Sequence, residues 1–187
     1  MKFAQLGMLL AVAVAMPTSF ASAGTMQTRM TMENATPNVD FLDRSSRLAL
    51  DHSRNQRIRS YARAVASEQT RAANALYDFS QAASTRVASQ DAANGDGLIT
   101  GRSVAVDGQV AHADNRLPLG QEDLDGLDRL GGKDFDEQYK AKQLEALTQV
   151  ETDYADYIAK GDDPVLLGIA NRELPIVRHQ LADLNKL

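Results

Sequence analysis

The spacing of apolar residues along this chain predicts a mostly helical protein. Between Ile58 and Phe79 apolar side chains recur every three or four positions, the pattern of a helix that buries one face. Ser53 is suited to cap this helix, and we expect the helix to end near Ser84 or Val87. The predicted buried face consists of Ile58, Tyr61, Ala62, Val65, Ala72, Leu76 and Phe79.

Two further helices are predicted on either side of this one. The earlier helix opens at Pro37 or Asn38 and ends near His52, where a cation suits the helix dipole. The later helix is capped by Asp134 and ends at a basic residue followed by Gly161. Their apolar positions are Val39, Leu42, Leu48 and Leu50 in the earlier helix, and Phe135, Tyr139, Gln143, Leu147, Val150, Tyr154 and Ile158 in the later one.

A last helix starts at Pro164, since proline is favoured in a first helical turn. Pro175 is expected to kink or restart it. Its apolar positions are Leu166, Ile169, Leu174, Val177, Leu181 and Leu184. The four long helices predict an all-α fold, an antiparallel four-helix bundle.

The connection between the second and third long helices has a different pattern. Residues 94–97 are dense in turn formers, and apolar pieces flank Asp107-Gly108. This pattern predicts a small β-hairpin around residues 104–111, within an insertion at about residues 92–118. A short helix follows from Glu122 to Leu130, and its leucines are candidates for an interface between copies.

The N-terminus carries the pattern of a secretory signal peptide. Lys2 precedes an apolar run from Leu6 to Met16, and Ala21-Ser22-Ala23 forms a small-residue cleavage site. The run is too short for a transmembrane helix. We therefore expect cleavage after Ala23 and export to a bacterial periplasm. The predicted organisation is a signal peptide at 1–23, a flexible lead-in at 24–37 and one helical-bundle domain at 38–187.

The amino-acid composition excludes several classes of catalytic site, metal site and binding partner. The chain has no cysteine, which excludes disulfides, thiolate catalysis and cysteine-ligated zinc or iron–sulfur sites. Its formal net charge of −5 argues against binding nucleic acid or anionic lipid. The arginines between Arg54 and Arg63 are interrupted by apolar residues, so we interpret them as a solvated helix face.

Several motifs together resemble the domain-of-unknown-function 4142 family of exported bacterial proteins. The matching pieces are Ser53-Arg54-Asn55, followed by Ile58, Tyr61-Ala62 and Val65; Leu127 to Leu130, then Phe135-Asp136 and Tyr139; Gly161-Asp162-Asp163-Pro164; and Leu174-Pro175-Ile176-Val177-Arg178. The resemblance spans about residues 38–186. It implies a ferritin-like helical bundle in the periplasm or envelope with no established chemistry.

The chain departs from the family pattern where that pattern implies histidines. The resemblance places one histidine after an acidic residue in the second helix, where this chain has Glu68-Gln69. It places others at Leu147 and at Gln180. His179 precedes Gln180 by one residue, a rotation of about 100 degrees, so we do not expect it to replace the missing side chain. If those histidines held a metal, this chain has lost them.

The candidate metal ligands are therefore incomplete. Ferritin-like di-iron sites use Glu-x-x-His pairs, and the chain contains none. A non-standard set of Glu68, Glu173 and His179 is the remaining candidate. Residues 94–100 resemble the middle of a calcium-binding loop, but Ala92 and Ser103 occupy its first and last ligand positions, so we predict poor affinity.

The remaining polar candidates allow two interpretations. Gln69, Gln143 and Gln180 either line a small-ligand pocket or hydrogen-bond one another and set helix register. We find no catalytic set and expect no cofactor. The sequence therefore favours a non-enzymatic exported protein that binds an envelope protein partner or acts in envelope stress. The alternative is a ferritin-like metal-binding protein with the non-standard ligand set.

Overall fold

A computed structural model describes residues 26–93 and 118–187. These residues form five helices: α1 (Met26–His52), α2 (Gln56–Ala93), α3 (Gln121–Asp128), α4 (Gly132–Lys160) and α5 (Pro164–Leu184). They contain no strand, so the described part is all-α. No helix in these two stretches is long and apolar enough to span a membrane. The predicted hairpin and the calcium-like loop lie outside the described residues.

The four long helices contact one another around a common core. α1 packs against α2 and α4, while α5 packs against α4 and α2. In each of these four pairs the two helices run antiparallel. Along α1 and α4, for example, Thr28 lies beside Tyr157 and Ser46 lies beside Tyr139. α2 and α4 therefore run in the same direction.

The buried face of α2 agrees with the predicted stripe. All seven predicted positions are buried: Ile58, Tyr61, Ala62, Val65, Ala72, Leu76 and Phe79. From α4 and α5, the rings of Phe135, Tyr139 and Tyr154 and the side chain of Leu166 are completely enclosed. Burying a large apolar side chain contributes roughly 2 kcal/mol, so this core is the main source of stability.

The structure corrects the start of the first helix. α1 begins at Met26, so residues 26–37, which the sequence analysis assigned to a flexible lead-in, are helical. Pro37 lies inside the helix, where it removes one backbone donor. The neighbouring Asn38 side chain donates from Nδ2 to the Asn34 carbonyl oxygen at 3.1 Å. Thr28 and Thr31 are buried in this first part of α1, which is why a polar-looking segment packs.

Two predicted helix caps are also corrected. Asn55, not Ser53, caps α2, because its Oδ1 accepts from the Arg57 backbone N–H at 3.0 Å. Ser53 lies two residues before Asn55. It is buried, and its Oγ accepts from the Asn55 N–H at 3.1 Å. α4 starts at Gly132 with Gly131 as its cap, which places Asp134 in the first turn. Gly132 has φ +61°, a conformation that favours glycine.

The ends of the later helices follow the sequence more closely. α4 ends at Lys160, and a side chain at Gly161 would collide with the Tyr157 carbonyl oxygen, 2.5 Å from its Cβ position. Asp163 Oδ1 caps α5 by accepting from Val165 and Leu166, with Pro164 in the first turn. α5 continues through Pro175, so the helix does not restart there, and the alternative of a kink stays a prediction. α2 is longer than predicted and ends at Ala93.

Candidate functional site

A buried polar layer joins α2 to α5. Gln69 donates from Nε2 to Gln180 Oε1 at 2.8 Å, and Gln180 donates from Nε2 to Glu68 Oε2 at 2.7 Å. The exposed fractions of Gln69 and Gln180 are only 2% and 3%, while Glu68 is half-buried. Gln69 and Gln180 are two of the positions where the family resemblance implies histidines. Here their amides bond each other, as the register interpretation predicts.

Tyr61 lies two turns before this layer on the same helix. Its hydroxyl is buried without a hydrogen-bond partner among the described residues. Burial raises the pKa of this phenol, and Tyr139, Asp183 and Glu68 raise it further. The phenol therefore stays protonated at physiological pH and does not act as a base. Leu147, the third position where the resemblance implies a histidine, is completely buried.

The third glutamine belongs to a different interface. Gln143 on α4 donates from Nε2 to Ser45 Oγ at 2.8 Å and more weakly to Ser46 Oγ at 3.4 Å. Ser46 Oγ also lies 3.0 Å from the Tyr139 hydroxyl. Gln143 is completely enclosed and is held by α1. The three glutamines thus form two separate polar contacts.

The three candidate metal ligands occupy different surroundings. Glu173 is buried, with an exposed fraction of 5%, and accepts from Arg172 Nε at 2.7 Å. His179 is exposed and pairs along its own helix with Asp183, at 3.2 Å from Nε2 to Oδ2. Glu68 bonds Gln180. Among residues 26–93 and 118–187, no three histidine, aspartate or glutamate side chains lie together in a way that could hold a metal ion.

The half-buried carboxyl group of Asp153 on α4 was not predicted from the sequence. Asp153 Oδ2 is enclosed without a hydrogen-bond partner among the described residues. Asn34 Oδ1 on α1 is likewise enclosed without such a partner. Burial raises the pKa of Asp153 to about 6; a hydrogen bond from Asn34 lowers it in part, and Asp156 raises it. The signal was present in the spacing, because Asp153 lies three residues after Val150 and four before Tyr157, both buried.

Two open grooves flank α3. One groove has a volume of about 540 Å³ and lies between α3 and α4, lined among others by Glu122, Asp123, Asp134 and Glu137. A second, of about 340 Å³, lies between α3 and α1 and includes Arg44 and Arg47. α3 itself is anchored by buried leucines at 124 and 127. These leucines are therefore not free to form the interface that the sequence suggested.

Polar contacts attach the start of α3 to its neighbours. Lys142 on α4 lies 2.9 Å from Asp123 Oδ1, and Arg44 on α1 donates to Gln121 Oε1 at 2.8 Å. The Leu119 N–H, just before α3, donates to Asn38 Oδ1 at 3.1 Å. These contacts hold α3 in place between the two grooves.

The family resemblance is confirmed by comparison with known protein families. The model of the domain-of-unknown-function family DUF4142 matches residues 14–187, nearly the whole chain. The chain therefore belongs to the DUF4142 family, for which no function is established. No curated protein and no solved structure matches the chain significantly.

Proposed function

We propose that this chain is an exported, non-enzymatic helical protein that binds an envelope protein partner through the surface around α3, with a role in envelope stress. The observation that carries the proposal is the position of α3. It is a short helix between two open grooves, attached by side chains from both α1 and α4. Binding surfaces are commonly built from irregular segments held on a rigid helical scaffold.

The topology supports a ferritin-like bundle as the scaffold. α2 and α4 run in the same direction. Each of them packs against both α1 and α5, and these neighbours run antiparallel to it. The end of α2 at Ala93 and the start of α4 at Gly132 therefore lie toward opposite ends of the bundle. One long crossover between the second and third long helices is the connection that ferritin-like folds use.

The start of α1 agrees with the proposed export. Cleavage after Ala23 would remove the charged start and apolar run, and it would leave all of α1 from Met26 onward. The side chains of Thr28 and Thr31, which pack near the start of α1, would remain in the mature protein. The proposed cleavage is thus compatible with an intact helical domain.

Export is tested by expressing the full chain in a bacterium and measuring the mass of the protein released from the periplasm. We expect a mature N-terminus at Gly24. Replacing both alanines of the cleavage site, Ala21→Asp and Ala23→Asp, should retain the leader. A full-length chain confined to the cytoplasm would contradict the proposed localisation.

The binding surface is tested with a photo-crosslinking amino acid at Gly126, which lines the larger groove and has open space around its Cβ position. Gly168 on α5 is a matched control, because it is also exposed with open space. We expect a crosslinked partner from position 126 and none from position 168. Equal crosslinking from both positions would contradict the assignment to α3.

The alternative function, metal binding through Glu68, Glu173 and His179, has one supporting observation. Glu68 Oε2 accepts a hydrogen bond from Gln180 in the buried layer where the family resemblance implies histidines. Against it, His179 pairs with Asp183 and is largely exposed. Metal analysis of the purified protein separates the two functions.

A further inference from the structure

Three elements meet around the imidazole of His52. His52 ends α1, and its Nδ1 lies 2.8 Å from the carbonyl oxygen of Leu130, just after α3. Its Nε2 lies 3.2 Å from Asp128 Oδ1, at the end of α3. The ring stacks on Phe135 of α4, with 5.3 Å between ring centroids and an interplanar angle of 24°. One side chain at the end of α1 thus contacts both the end of α3 and α4.

The chemistry of the two acceptors restricts the protonation of this ring. A carbonyl oxygen can only accept, so Nδ1 must carry hydrogen to bond Leu130. The carboxylate of Asp128 also only accepts, so Nε2 can bond it only when that nitrogen carries hydrogen as well. A neutral ring that keeps the bond to Leu130 would direct the Nε2 lone pair at Asp128. Only the imidazolium cation makes both bonds.

We infer that His52 is a proton-dependent latch that holds the end of α3 against α1 and α4. When the ring is doubly protonated, it bonds both Leu130 and Asp128. When the ring is neutral, the bond to Asp128 is lost and the end of α3 is held less firmly. The other polar ties of α3, from Lys142 and Arg44, lie at its start, so they do not replace this contact.

The charges around His52 support this role. From α3 the facing group is the carboxylate of Asp128, and from α4 it is the uncharged ring of Phe135. Asp51 and Arg54 line the same cleft, one with each sign of charge. Arg59 of α2 donates to the carbonyl oxygens of Leu50 and Ser53 close by. The C-terminus of α1 adds a partial negative charge that favours a cation here.

His179 provides an internal comparison. Its Nε2 lies 3.2 Å from Asp183, the same distance as in the latch, but the pair lies along one turn of α5. The exposed fraction of the imidazole side chain is 71% for His179 and 25% for His52. An exposed pair within one helix is screened by water and joins no separate elements. Protonation of His179 should therefore leave the position of α3 unchanged.

The latch is tested by amide hydrogen exchange of residues 119–130 in the full mature chain between pH 5.5 and 8, corrected for intrinsic exchange. Imidazole loses its proton in this range. We expect protection of α3 to fall about threefold to tenfold as the pH rises. In Asp128→Asn an amide can donate to neutral Nε2, so this pH dependence should disappear. His179→Gln should keep the wild-type dependence.

A second measurement keeps the inference testable if a variant folds poorly. The nitrogen chemical shifts of the His52 ring should show hydrogen on Nδ1 in the neutral form at pH 8, because Leu130 requires a donor there. Hydrogen on Nε2 in the neutral form would overturn the latch. Equal pH dependence in wild type and Asp128→Asn would also overturn it, as would loss of the dependence in His179→Gln. None of these results depends on whether α3 binds a partner.

Discussion

The interface between α1 and α4 and the interface between α2 and α5 use buried polar groups in different ways. The first carries polar contacts along its whole length: Thr28 with Tyr157, Asn38 with Gln149, Ser45 with Gln143 and Ser46 with Tyr139. The second carries one buried polar layer, Gln69 with Gln180, and this layer ends at the charged group of Glu68.

The difference lies in how many buried contacts fix the position of one helix against the other. Contacts repeated along α1 and α4 set the register of the two helices, since sliding one helix would unpair several buried groups at once. The single layer between α2 and α5 can change its side chains without affecting register elsewhere. It is also the layer where the resemblance implies histidines and this chain has glutamines. The chain belongs to the DUF4142 family, whose model matches residues 14–187.

The largest expected effect comes from truncating a glutamine in each interface. Gln143→Ala should lower the free energy of unfolding by about 3 kcal/mol, because it leaves a cavity in a completely enclosed position and removes the donor to Ser45 Oγ. Gln69→Ala should cost less, about 2 kcal/mol, because half-buried Glu68 leaves water a route to the layer. Urea unfolding of both variants measures the difference. A larger loss in Gln69→Ala would contradict the comparison.

The next effect concerns the buried carboxyl group between α1 and α4. Because the folded-state pKa of Asp153 is about 6, above its ordinary value of 3.8, ionisation costs stability as the pH rises through this interval. Stability from this group is therefore greatest below about pH 4 and lowest at pH 7 and above. Asp153→Asn should raise the free energy of unfolding at pH 7.5 by about 1–2 kcal/mol and remove this pH dependence.

Asp156→Asn is the matched control for this prediction. Asp156 lies nearby on α4, but it is exposed and pairs with Lys160 at 3.6 Å. Its replacement should change the unfolding free energy by less than about 0.5 kcal/mol. If Asp153→Asn destabilises the protein at pH 7.5, the carboxylate makes a favourable interaction and the explanation from burial is wrong.

The smallest effect compares tyrosine hydroxyls with and without partners. Tyr139→Phe removes a hydroxyl that lies 3.0 Å from Ser46 Oγ and should cost about 1 kcal/mol. Tyr61→Phe removes a buried hydroxyl that has no partner among the described residues, so it should be neutral or slightly stabilising. Thermal and urea unfolding of the two variants give the comparison. Equal losses would mean that Tyr61 has a hydrogen-bond partner.

Sequence patterning predicted the helices better than their ends. The three-and-four spacing in α2 identified all seven buried positions, because burial on one face leaves a periodic signal. The first helix was assigned too late because Pro37 resembles a start, whereas the structure accommodates it inside α1. Buried Thr28 and Thr31 before Pro37 carry no hydrophobic signal, although Thr28 lies 2.7 Å from the Tyr157 hydroxyl of α4.

The candidate site was predicted only in part. Gln69, Gln143 and Gln180 were predicted together to bond one another or to line a pocket, and of these Gln69 and Gln180 bond each other. The separation of Gln143 from that pair depends on which helices are neighbours, and spacing within one helix does not contain this information. His52 was recognised as a helix end, but its contacts with Asp128 and Leu130 join residues far apart in the sequence.

The central claim is that Gln69 and Gln180 bond each other in the layer between α2 and α5 instead of holding a metal ion, and that function lies on the surface. Elemental analysis tests this most directly, on mature protein purified without chelator or affinity metal, incubated with iron or zinc and then desalted. Gln69→His with Gln180→His is the positive control, since it places two imidazoles beside Glu68. We predict stoichiometric zinc in this control and none in the wild type. About one or two iron or zinc ions per wild-type chain would contradict the account.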